Sequence, residues 1–319
     1  MSLCLVTGGA GFIGRWVVAS LLKRGKRVLV LDNLSCGSRS NLEEFAGHPR
    51  FEGLIRGDVR QLGTLYEIFF RGLEICFHIA GNTDAQRSID DPETTFDSDV
   101  MGTMRLLEKC REYDTKILFV STCELYDDCE GAINEENTIR PRSPYAACKQ
   151  AAENLCLGYH YSYRLPVVVV RPFNTYGPFQ KLGEDGGVVA RFQQQVLEEK
   201  PIVLYGDGSQ TRDFTYVEDC AEFLVDAGFS RSCEGQILNV ATGIEVRIRA
   251  LAEMIAGDSV VIKEEAHPCP DNDIVRMCGD STKARELIGW NPRVKFSEGL
   301  SKTKHWMLQQ NIINAMRTV

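Results

Sequence analysis

The chain has 319 residues, 44% of them hydrophobic and 25% charged, which is an ordinary globular composition with enough length for a full core. A formal net charge of −8 argues against nucleic acid or an anionic membrane surface as a partner. The N-terminal segment lacks the basic and apolar regions of a signal peptide, and no apolar run is long enough to span a bilayer. We therefore expect a cytoplasmic protein that binds neither nucleic acid nor membrane.

Cysteine is frequent, with twelve in the chain, but no two of them form a Cys-x-x-Cys pair. Most lie within apolar periodic segments, as Cys76, Cys110 and Cys156 do. This pattern is typical of small buried side chains in a reducing compartment, and it predicts no metal site.

Short apolar strands alternate with helical patterns through the first two thirds of the chain. Helical spacing predicts helices at Phe12–Arg24, Thr103–Tyr113 and Tyr145–Tyr161. Apolar runs predict strands at Leu3–Thr7, Arg27–Asp32, Ile75–Ala80, Lys116–Ser121 and Val167–Arg171. This alternation predicts an α/β fold, a Rossmann-type doubly wound parallel sheet with helices on both faces.

After Arg171 the alternation weakens, and glycine and proline cluster at 177–178 and 183–187. We expect a smaller α/β domain that closes over the carboxyl edge of the sheet, where open α/β sheets bind ligands. The predicted division gives residues 1–171 and about 213–242 to the sheet domain. Residues from about 172 to 212 and 243–319 then form the smaller, substrate-binding domain.

A glycine-rich loop, Thr7-Gly8-Gly9-Ala10-Gly11-Phe12-Ile13-Gly14, joins the first strand to the first helix. In such a loop, Gly8 permits the tight turn, Gly11 lets the backbone approach a pyrophosphate, and Gly14 allows close packing of helix on strand. The helix N-terminus supplies free N–H groups for the phosphates. The loop therefore predicts a dinucleotide site.

A carboxylate at the end of the second strand indicates which dinucleotide binds. Asp32 lies eighteen residues after Gly14, where a carboxylate binds both ribose hydroxyls of NAD and repels the 2′-phosphate of NADP. We therefore expect NAD as the cofactor. Asp58 fits a contact to the adenine edge, and the alternative is an ordinary surface aspartate.

Tyr145 and Lys149 form a Tyr-x-x-x-Lys pair on one face of a predicted helix. A nearby ammonium favours the phenolate, so we expect Lys149 to lower the pKa of Tyr145 from its ordinary value of about 10. Such a tyrosine can take the proton of a sugar hydroxyl while the carbon gives a hydride to nicotinamide. The preceding dinucleotide loop and the Ser121-Thr122 strand end favour this role over a chance helix face.

Together these motifs resemble the extended short-chain dehydrogenase/reductases of the NAD-dependent nucleotide-sugar epimerase/dehydratase family. The likeness runs over nearly the whole chain, and it also includes Asp32 to Ser35, His78 to Ala80, Arg171 to Pro178 and Gly206 to Phe214. It implies an NAD-dependent enzyme acting on a nucleotide sugar, with a UDP-sugar favoured. It also implies a homodimer formed through the predicted helices Thr103–Tyr113 and Tyr145–Tyr161.

The resemblance further implies roles for individual residues. Thr122 binds the sugar beside Tyr145, and guanidinium groups suit the diphosphate, although the match at Arg276 is looser because it follows a variable stretch. The implied substrate residues are Gly81, Asn82, Thr83, Asn174, Arg212 and Arg276. The further cofactor residues implied are Phe12, Ile13, Asn33, Ser35, Val59, Ile79 and Ala80.

Ser121-Thr122 is followed by Cys123-Glu124. Dehydratases of the family typically have Asp-Glu or Ser-Glu here, whereas epimerases usually carry small or apolar residues. A 4-keto hexose has an acidic C5 proton, so a dehydratase needs a base there and an acid for the departing C6 hydroxyl. Glu124 is the natural base. The Cys123 thiol, with an ordinary pKa of about 8.5, stands where the acid usually lies. Alternatively, Glu124 acts as both base and acid, and Cys123 is only a packing residue.

We therefore expect an NDP-hexose dehydratase. The Cys-Glu pair is similar to the branch of the family that converts UDP-N-acetylglucosamine to a 5,6-ene in tunicamycin biosynthesis, a nucleoside antibiotic pathway; return of the hydride to C6 would instead give a 4,6-dehydratase. A UDP-sugar 4-epimerase and a non-catalytic NAD-binding regulator are the alternatives, and the intact Tyr145–Lys149 pair argues against the regulator. Asp99 replaces an asparagine common in the family, and no function follows from the sequence alone.

Overall fold

The computed structural model describes residues 3–82, 85–183, 186–257, 260–266 and 274–317. The strands are β1 (Leu3–Thr7), β2 (Arg27–Asp32), β3 (Phe51–Arg56), β4 (Leu73–His78), β5 (Lys116–Val120), β6 (Val167–Pro172), β7 (Asn174–Tyr176), β8 (Ile202–Tyr205), β9 (Thr211–Tyr216), β10 (Ile237–Val240), β11 (Glu245–Arg247) and β12 (Ile262–Glu265). The α-helices are α1 (Phe12–Lys23), α2 (Leu62–Phe69), α3 (Ala85–Asp90), α4 (Pro92–Phe96), α5 (Gly102–Glu112), α6 (Pro144–Tyr163), α7 (Val188–Leu197), α8 (Val217–Phe229), α9 (Ile248–Ala256), α10 (Thr282–Ile288) and α11 (Phe296–Arg317).

Seven strands form one parallel sheet in the order β10-β6-β5-β4-β1-β2-β3. The apolar run at the start of β6, Val167–Val170, is fully buried, as expected of a central strand covered on both faces. The strand order reverses between β1 and β4, which opens a crevice at their carboxyl ends. The predicted Rossmann-type fold is confirmed.

Several elements have the predicted bounds or nearly so, and the differences have local causes. Strand β4 ends at His78 rather than Ala80, because the Ala80 N–H turns to the Thr7 hydroxyl at 3.3 Å. Strand β3 was not predicted, since Gly53 interrupts its short apolar pattern. Strand β10 was also missed, because its buried Asn239 breaks the apolar run.

Beyond β6, the remaining strands form two small sheets. One has the order β11-β9-β7 and the other pairs β12 with β8. Helices α7 and α9 contribute to a separate apolar cluster that includes Phe192, Leu204 and Leu251. In contrast, α8 packs on α1 and β10 joins the large sheet. The division into two domains at the predicted boundaries stays a prediction.

Within the described part of the chain, no helix is long and apolar enough to cross a membrane. The described cysteines are free thiols, and all of them except Cys36 and Cys129 are buried.

Candidate active site

The glycine-rich loop is shaped by contacts that leave no room for side chains. Gly8 has a φ of 70°, and a Cβ there would lie 2.8 Å from the Ala80 nitrogen. A Cβ on Gly14 would collide with the Gly8 carbonyl oxygen. Gly11 is the N-cap of α1, and the first turn, which holds Phe12 and Ile13, contains no acidic residue. The exposed backbone donors therefore fit the pyrophosphate of a dinucleotide.

Asp32 ends β2 with its carboxylate held against this loop. Its Oδ2 accepts a hydrogen bond from the Ala10 N–H at 2.9 Å, and its Oδ1 accepts one from the Leu34 N–H at 2.8 Å. The residue is 7% exposed. A carboxylate fixed at this point suits ribose hydroxyls and would repel a 2′-phosphate.

The other predicted cofactor residues line the same edge of the sheet. The Asn33 side chain donates to Asp58 at 2.9 Å and accepts from the Ser35 N–H at 2.9 Å. Arg60 hydrogen-bonds the Asp58 carboxylate and lowers its pKa to about 2. The Val59 side chain lies beneath Gly102. Ile79 and Ala80 follow β4 beside Gly8. The contacts that these residues make to the cofactor stay predictions.

Tyr145 stands in the first turn of α6. Ser143 caps the helix by accepting from the Ala146 N–H at 3.1 Å, and the Tyr145 N–H donates to Ser88 Oγ at 3.0 Å. The residue is 6% exposed, and its phenol lies beside the Thr122 side chain, whose interaction acts against the burial that raises the pKa of Tyr145. Tyr145 and Thr122 therefore lie together at the carboxyl end of β5, and the roles that the resemblance implies for them stay predictions.

Lys149 lies one turn further along α6, between Tyr145 and a buried carboxylate. Its Nζ is 5.9 Å from the centre of the Tyr145 ring and 3.7 Å from Asp99 Oδ2. Burial, Glu124 and Asp99 together raise the pKa of Tyr145 well above 10, although the bond to Thr122 lowers it. The expectation of a lowered pKa is wrong for these surroundings, because sequence reasoning considered the ammonium without burial or these carboxylates.

Cys123, Glu124 and Leu125 form a 3₁₀ turn capped by Thr122, whose Oγ1 accepts from the Glu124 N–H at 3.2 Å. Glu124 is half-buried, and its charge raises the pKa of Tyr145. Cys123 lies in an apolar cluster with its sulfur 3.2 Å from Met277 Sδ. Burial raises its pKa, so the thiol keeps its proton but has apolar neighbours. Its role as the acid stays a prediction.

Three buried polar atoms near this edge have no hydrogen-bond partner among the described residues: Ser121 Oγ, Asn174 Oδ1 and Asp99 Oδ2. Buried polar atoms without partners are rare, and they commonly face a ligand or water. Asn174 was a predicted diphosphate ligand. Ser121 and Asp99 were not predicted as site residues. Two features of the sequence could have pointed to them: Ser121 lies at the end of a strand, and Asp99 stands where an asparagine is common in the family.

The two predicted diphosphate arginines lie on adjacent segments, since Thr211 forms a β-bridge with Arg276. Arg212 donates to the Ile274 carbonyl at 2.7 Å, and its charge partly opposes the burial that raises the pKa of Cys123. Arg276 forms a paired contact with the Glu245 carboxylate, at 2.9 and 2.7 Å. A phosphate at Arg276 would therefore compete with Glu245.

Of the predicted sugar-pocket residues, Gly81 lies directly over Lys149, and a Cβ there would be 2.7 Å from its Nζ. The Asn82 side chain donates to Thr95 Oγ1 at 2.9 Å, and its N–H donates to Asp99 Oδ1 at 2.8 Å. Thr83 lies outside the described residues.

A buried ion pair holds α6 against the sheet. Arg171 on β6 binds both oxygens of Glu153, at 2.9 and 2.6 Å, and donates to the Tyr126 hydroxyl at 2.8 Å. Tyr126 in turn donates to Asn239 Oδ1 at 2.7 Å. The network joins the helix of Tyr145 and Lys149 to the segment that follows Glu124.

We expect Glu153→Gln to lower the free energy of unfolding by about 3 kcal/mol, because it leaves the Arg171 charge buried without a counter-ion. Urea unfolding followed by circular dichroism measures this loss. Glu67→Gln is the matched control, since it makes the same change at an exposed position of helix α2. Equal stability of the two variants would contradict the prediction.

Known proteins resemble this chain over most of its length. A model of the NAD dependent epimerase/dehydratase family matches residues 4–241. The solved structure of Pal from Bacillus thuringiensis is 45% identical, with 97% of this chain and 99% of that chain covered and a TM-score of 0.95. A UDP-glucose 4-epimerase of Mycolicibacterium smegmatis is 37% identical, covering 94% of this chain and 96% of the relative. A UDP-N-acetyl-alpha-D-glucosaminuronate decarboxylase of Bacillus cytotoxicus is 33% identical over 95% of this chain and 97% of the relative.

The chain therefore belongs to the NAD-dependent epimerase/dehydratase family of nucleotide-sugar enzymes. Its cofactor is NAD, which is bound in solved members of the family.

Proposed function

We propose that the chain is a nucleotide-sugar dehydratase that acts through a transient 4-keto sugar. The particular reaction proposed is the 5,6-dehydration of UDP-N-acetylglucosamine, a step of the kind used in tunicamycin biosynthesis. The observation that carries this proposal is Glu124, which the Thr122-capped turn holds close enough to Tyr145 to affect its pKa. Oxidation at C4 and its reversal need Tyr145. Elimination needs a second group that handles protons, and the Glu124 carboxylate can fill that role.

The side chains divide the work as follows. Bound NAD supplies the acceptor and donor of hydride. Tyr145 takes the proton of the C4 hydroxyl, and Thr122 orients that hydroxyl. Glu124 then takes the C5 proton, which the C4 ketone has made acidic, and the C6 hydroxyl leaves as water with a proton from Glu124 or Cys123. Finally C4 recovers its hydride while Tyr145 returns its proton to the C4 oxygen, which leaves a 5,6-ene with the C4 hydroxyl restored.

Recognition of a UDP-sugar is supported by the two arginines and by the relatives. Arg212 and Arg276 lie on adjacent segments, and guanidinium groups bind phosphate oxygens well. Both curated relatives described above carry a UDP-sugar in their names. We also propose that the chain forms a homodimer through α5 and α6, which sedimentation can test directly.

A UDP-sugar 4-epimerase is the second candidate, and the identity with the Mycolicibacterium smegmatis enzyme favours it. It would use the same oxidation and then return the hydride to the other face of C4. A decarboxylase would likewise start with the oxidation but requires a uronic acid. A non-catalytic NAD-binding regulator is disfavoured by the buried, paired Tyr145, Thr122 and Lys149.

Incubation of the purified protein with UDP-N-acetylglucosamine in deuterated water tests these candidates, read by mass spectrometry and proton NMR. We expect loss of one water and new exomethylene signals, with the C4 hydroxyl intact. A C6 methyl group with deuterium at C5 would replace the proposal by 4,6-dehydration. Unchanged mass with an inverted C4 would support the epimerase. If nothing reacts, UDP-glucose and UDP-glucuronate are tried next, and release of carbon dioxide from the latter would indicate the decarboxylase.

A further inference from the structure

One of the two predicted diphosphate arginines is bound to a carboxylate of the chain itself. Arg276 Nε lies 2.9 and 3.0 Å from the two carboxylate oxygens of Glu245, and Arg276 Nη2 lies 2.7 Å from Glu245 Oε2. In this two-bond geometry a guanidinium group binds carboxylates and phosphates strongly. Glu245 therefore occupies an edge of Arg276 that suits a phosphate.

The carboxylate of Glu245 is held in place by more than Arg276. Glu245 begins β11, which pairs with β9, the strand that carries Arg212. Thr211 Oγ1 donates a hydrogen bond to Glu245 Oε1 at 2.6 Å. The carboxylate is therefore fixed beside the predicted diphosphate arginines by a hydroxyl that would remain if Arg276 changed its partner.

The backbone around Arg276 is also held independently of the guanidinium group. The N–H groups of Val275 and Arg276 donate to Asp128 Oδ1 at 2.8 and 3.2 Å. The Thr211 N–H donates to the Val275 carbonyl at 3.0 Å. The side chain of Arg276 can therefore turn from Glu245 to a ligand while these backbone contacts stay in place.

A second cation lies near Glu245. Arg247 is two residues further along β11 and so lies on the same exposed face of the strand. Hydrogen bonds from Arg276 and Thr211, followed by the charges of Arg276 and Arg247, lower the pKa of Glu245 although burial raises it. If Arg276 turned away, Glu245 would keep the Thr211 hydroxyl and a neighbouring positive charge.

We propose that Glu245 competes with the diphosphate for Arg276 and so limits the affinity of the enzyme for UDP and UDP-sugars. The inference rests on the proposed function, in which Arg276 binds the diphosphate of the substrate. A diphosphate carries more negative charge than one carboxylate, so it can replace Glu245 at the guanidinium group. Because substrate and product share the diphosphate, the competition weakens the binding of both and favours release of the product.

The size of this competition follows from the exposure of the pair. The side chains of Arg276 and Glu245 are 38% and 28% exposed, so water screens their attraction. Ion pairs of this kind change a binding equilibrium by about two- to fivefold. The competition therefore adjusts the affinity for the diphosphate without preventing its binding.

Calorimetric titration of the NAD-loaded protein with UDP tests the proposal, at low ionic strength because salt screens exposed charges. Glu245→Gln keeps the size of the side chain and an oxygen that can accept from Thr211, but it removes the charge. We expect it to lower the Kd for UDP by about two- to fivefold, a gain of affinity that a damaged fold would not produce. Glu253→Gln makes the same change at an exposed position of helix α9, and it should leave the Kd unchanged.

A double-mutant cycle shows whether Glu245 acts through Arg276. Arg276→Ala alone should raise the Kd for UDP by about tenfold or more, because charged hydrogen bonds to the phosphates are lost. Glu245→Gln added to Arg276→Ala should then give a smaller gain than it gives in the wild type, since the competition has been removed. An equal gain in the two backgrounds would indicate general repulsion between Glu245 and UDP, and it would overturn the proposal.

The remaining outcomes separate this inference from the proposed function. If Arg276→Ala weakens UDP binding but Glu245→Gln does not strengthen it, or if Glu253→Gln strengthens it equally, the competition is wrong and the diphosphate site stands. If UDP does not bind the wild type, or binds Arg276→Ala equally well, both the competition and the role of Arg276 are wrong. The titrations need no turnover, so the expected cycle together with failed dehydration would remove the proposed reaction and retain the role of Glu245.

Discussion

Replacement of Tyr145 by phenylalanine is expected to lower turnover by about 10²–10⁴-fold, the usual contribution of a positioned proton-transfer group. The ring still fills its buried site, and the backbone N–H still donates to Ser88. What disappears is the phenolic oxygen that takes the C4 proton in the proposed mechanism and lies beside the Thr122 side chain. Because oxidation is the first step, both water loss and any reduction of the cofactor should fall together, as measured by mass spectrometry of the product and absorbance at 340 nm.

Tyr161→Phe is the control for this variant, because Tyr161 lies on the same helix with 69% of its surface exposed. NAD released from each denatured protein should be equal in amount, which separates a loss of chemistry from a loss of cofactor. Turnover of Tyr145→Phe within a few-fold of the control would remove Tyr145 from the mechanism and with it the proposed division of labour.

Sequence reasoning could predict the elements whose structure is determined by residues close to one another in the chain. The loop from Gly8 to Gly14 is constrained by its own backbone and by Ala80, so its glycine spacing carries the information. Strands β1 and β2 are continuous apolar runs buried on both faces, and their bounds were predicted correctly. Strand β10 was missed because Asn239 breaks its apolar run, and because its partner β6 lies far away in sequence, so nothing local marks the pairing.

The candidate site was predicted as a set of residues but not as an electrostatic environment. The helix spacing of Tyr145 and Lys149 predicts that they share a face, and the structure agrees. It does not predict that the π-helical turn Asp97–Met101 brings Asp99 to within 3.7 Å of Lys149 Nζ, because that contact links segments 50 residues apart. The surroundings of Cys123 were equally hidden, since Met277 approaches it from the far end of the chain. Proton affinity depends on such distant neighbours.

Glu124→Gln is expected to stop elimination while leaving the oxidation in place. The amide keeps the size of the side chain, and the 3₁₀ turn keeps its Thr122 cap, which bonds the backbone of residue 124. Tyr145 can then still accept the C4 proton, but no base removes the proton at C5. We expect formation of the 5,6-ene to fall by about 10²–10⁴-fold. With substrate deuterated at C4, deuteride should still pass to the bound cofactor and appear there by mass spectrometry.

The comparison with two further variants decides how the acid and base roles are shared. Glu130→Gln, at an exposed position six residues on, should leave formation of the 5,6-ene unchanged. Cys123→Ala removes the thiol from its apolar cluster, so a loss of stability with normal elimination would mean that Glu124 protonates the leaving hydroxyl as well. A loss of elimination as deep as that of Glu124→Gln would instead make Cys123 the acid. Elimination that survives Glu124→Gln would contradict the proposed dehydratase mechanism, because the glutamine at position 124 cannot act as the base that accepts the C5 proton.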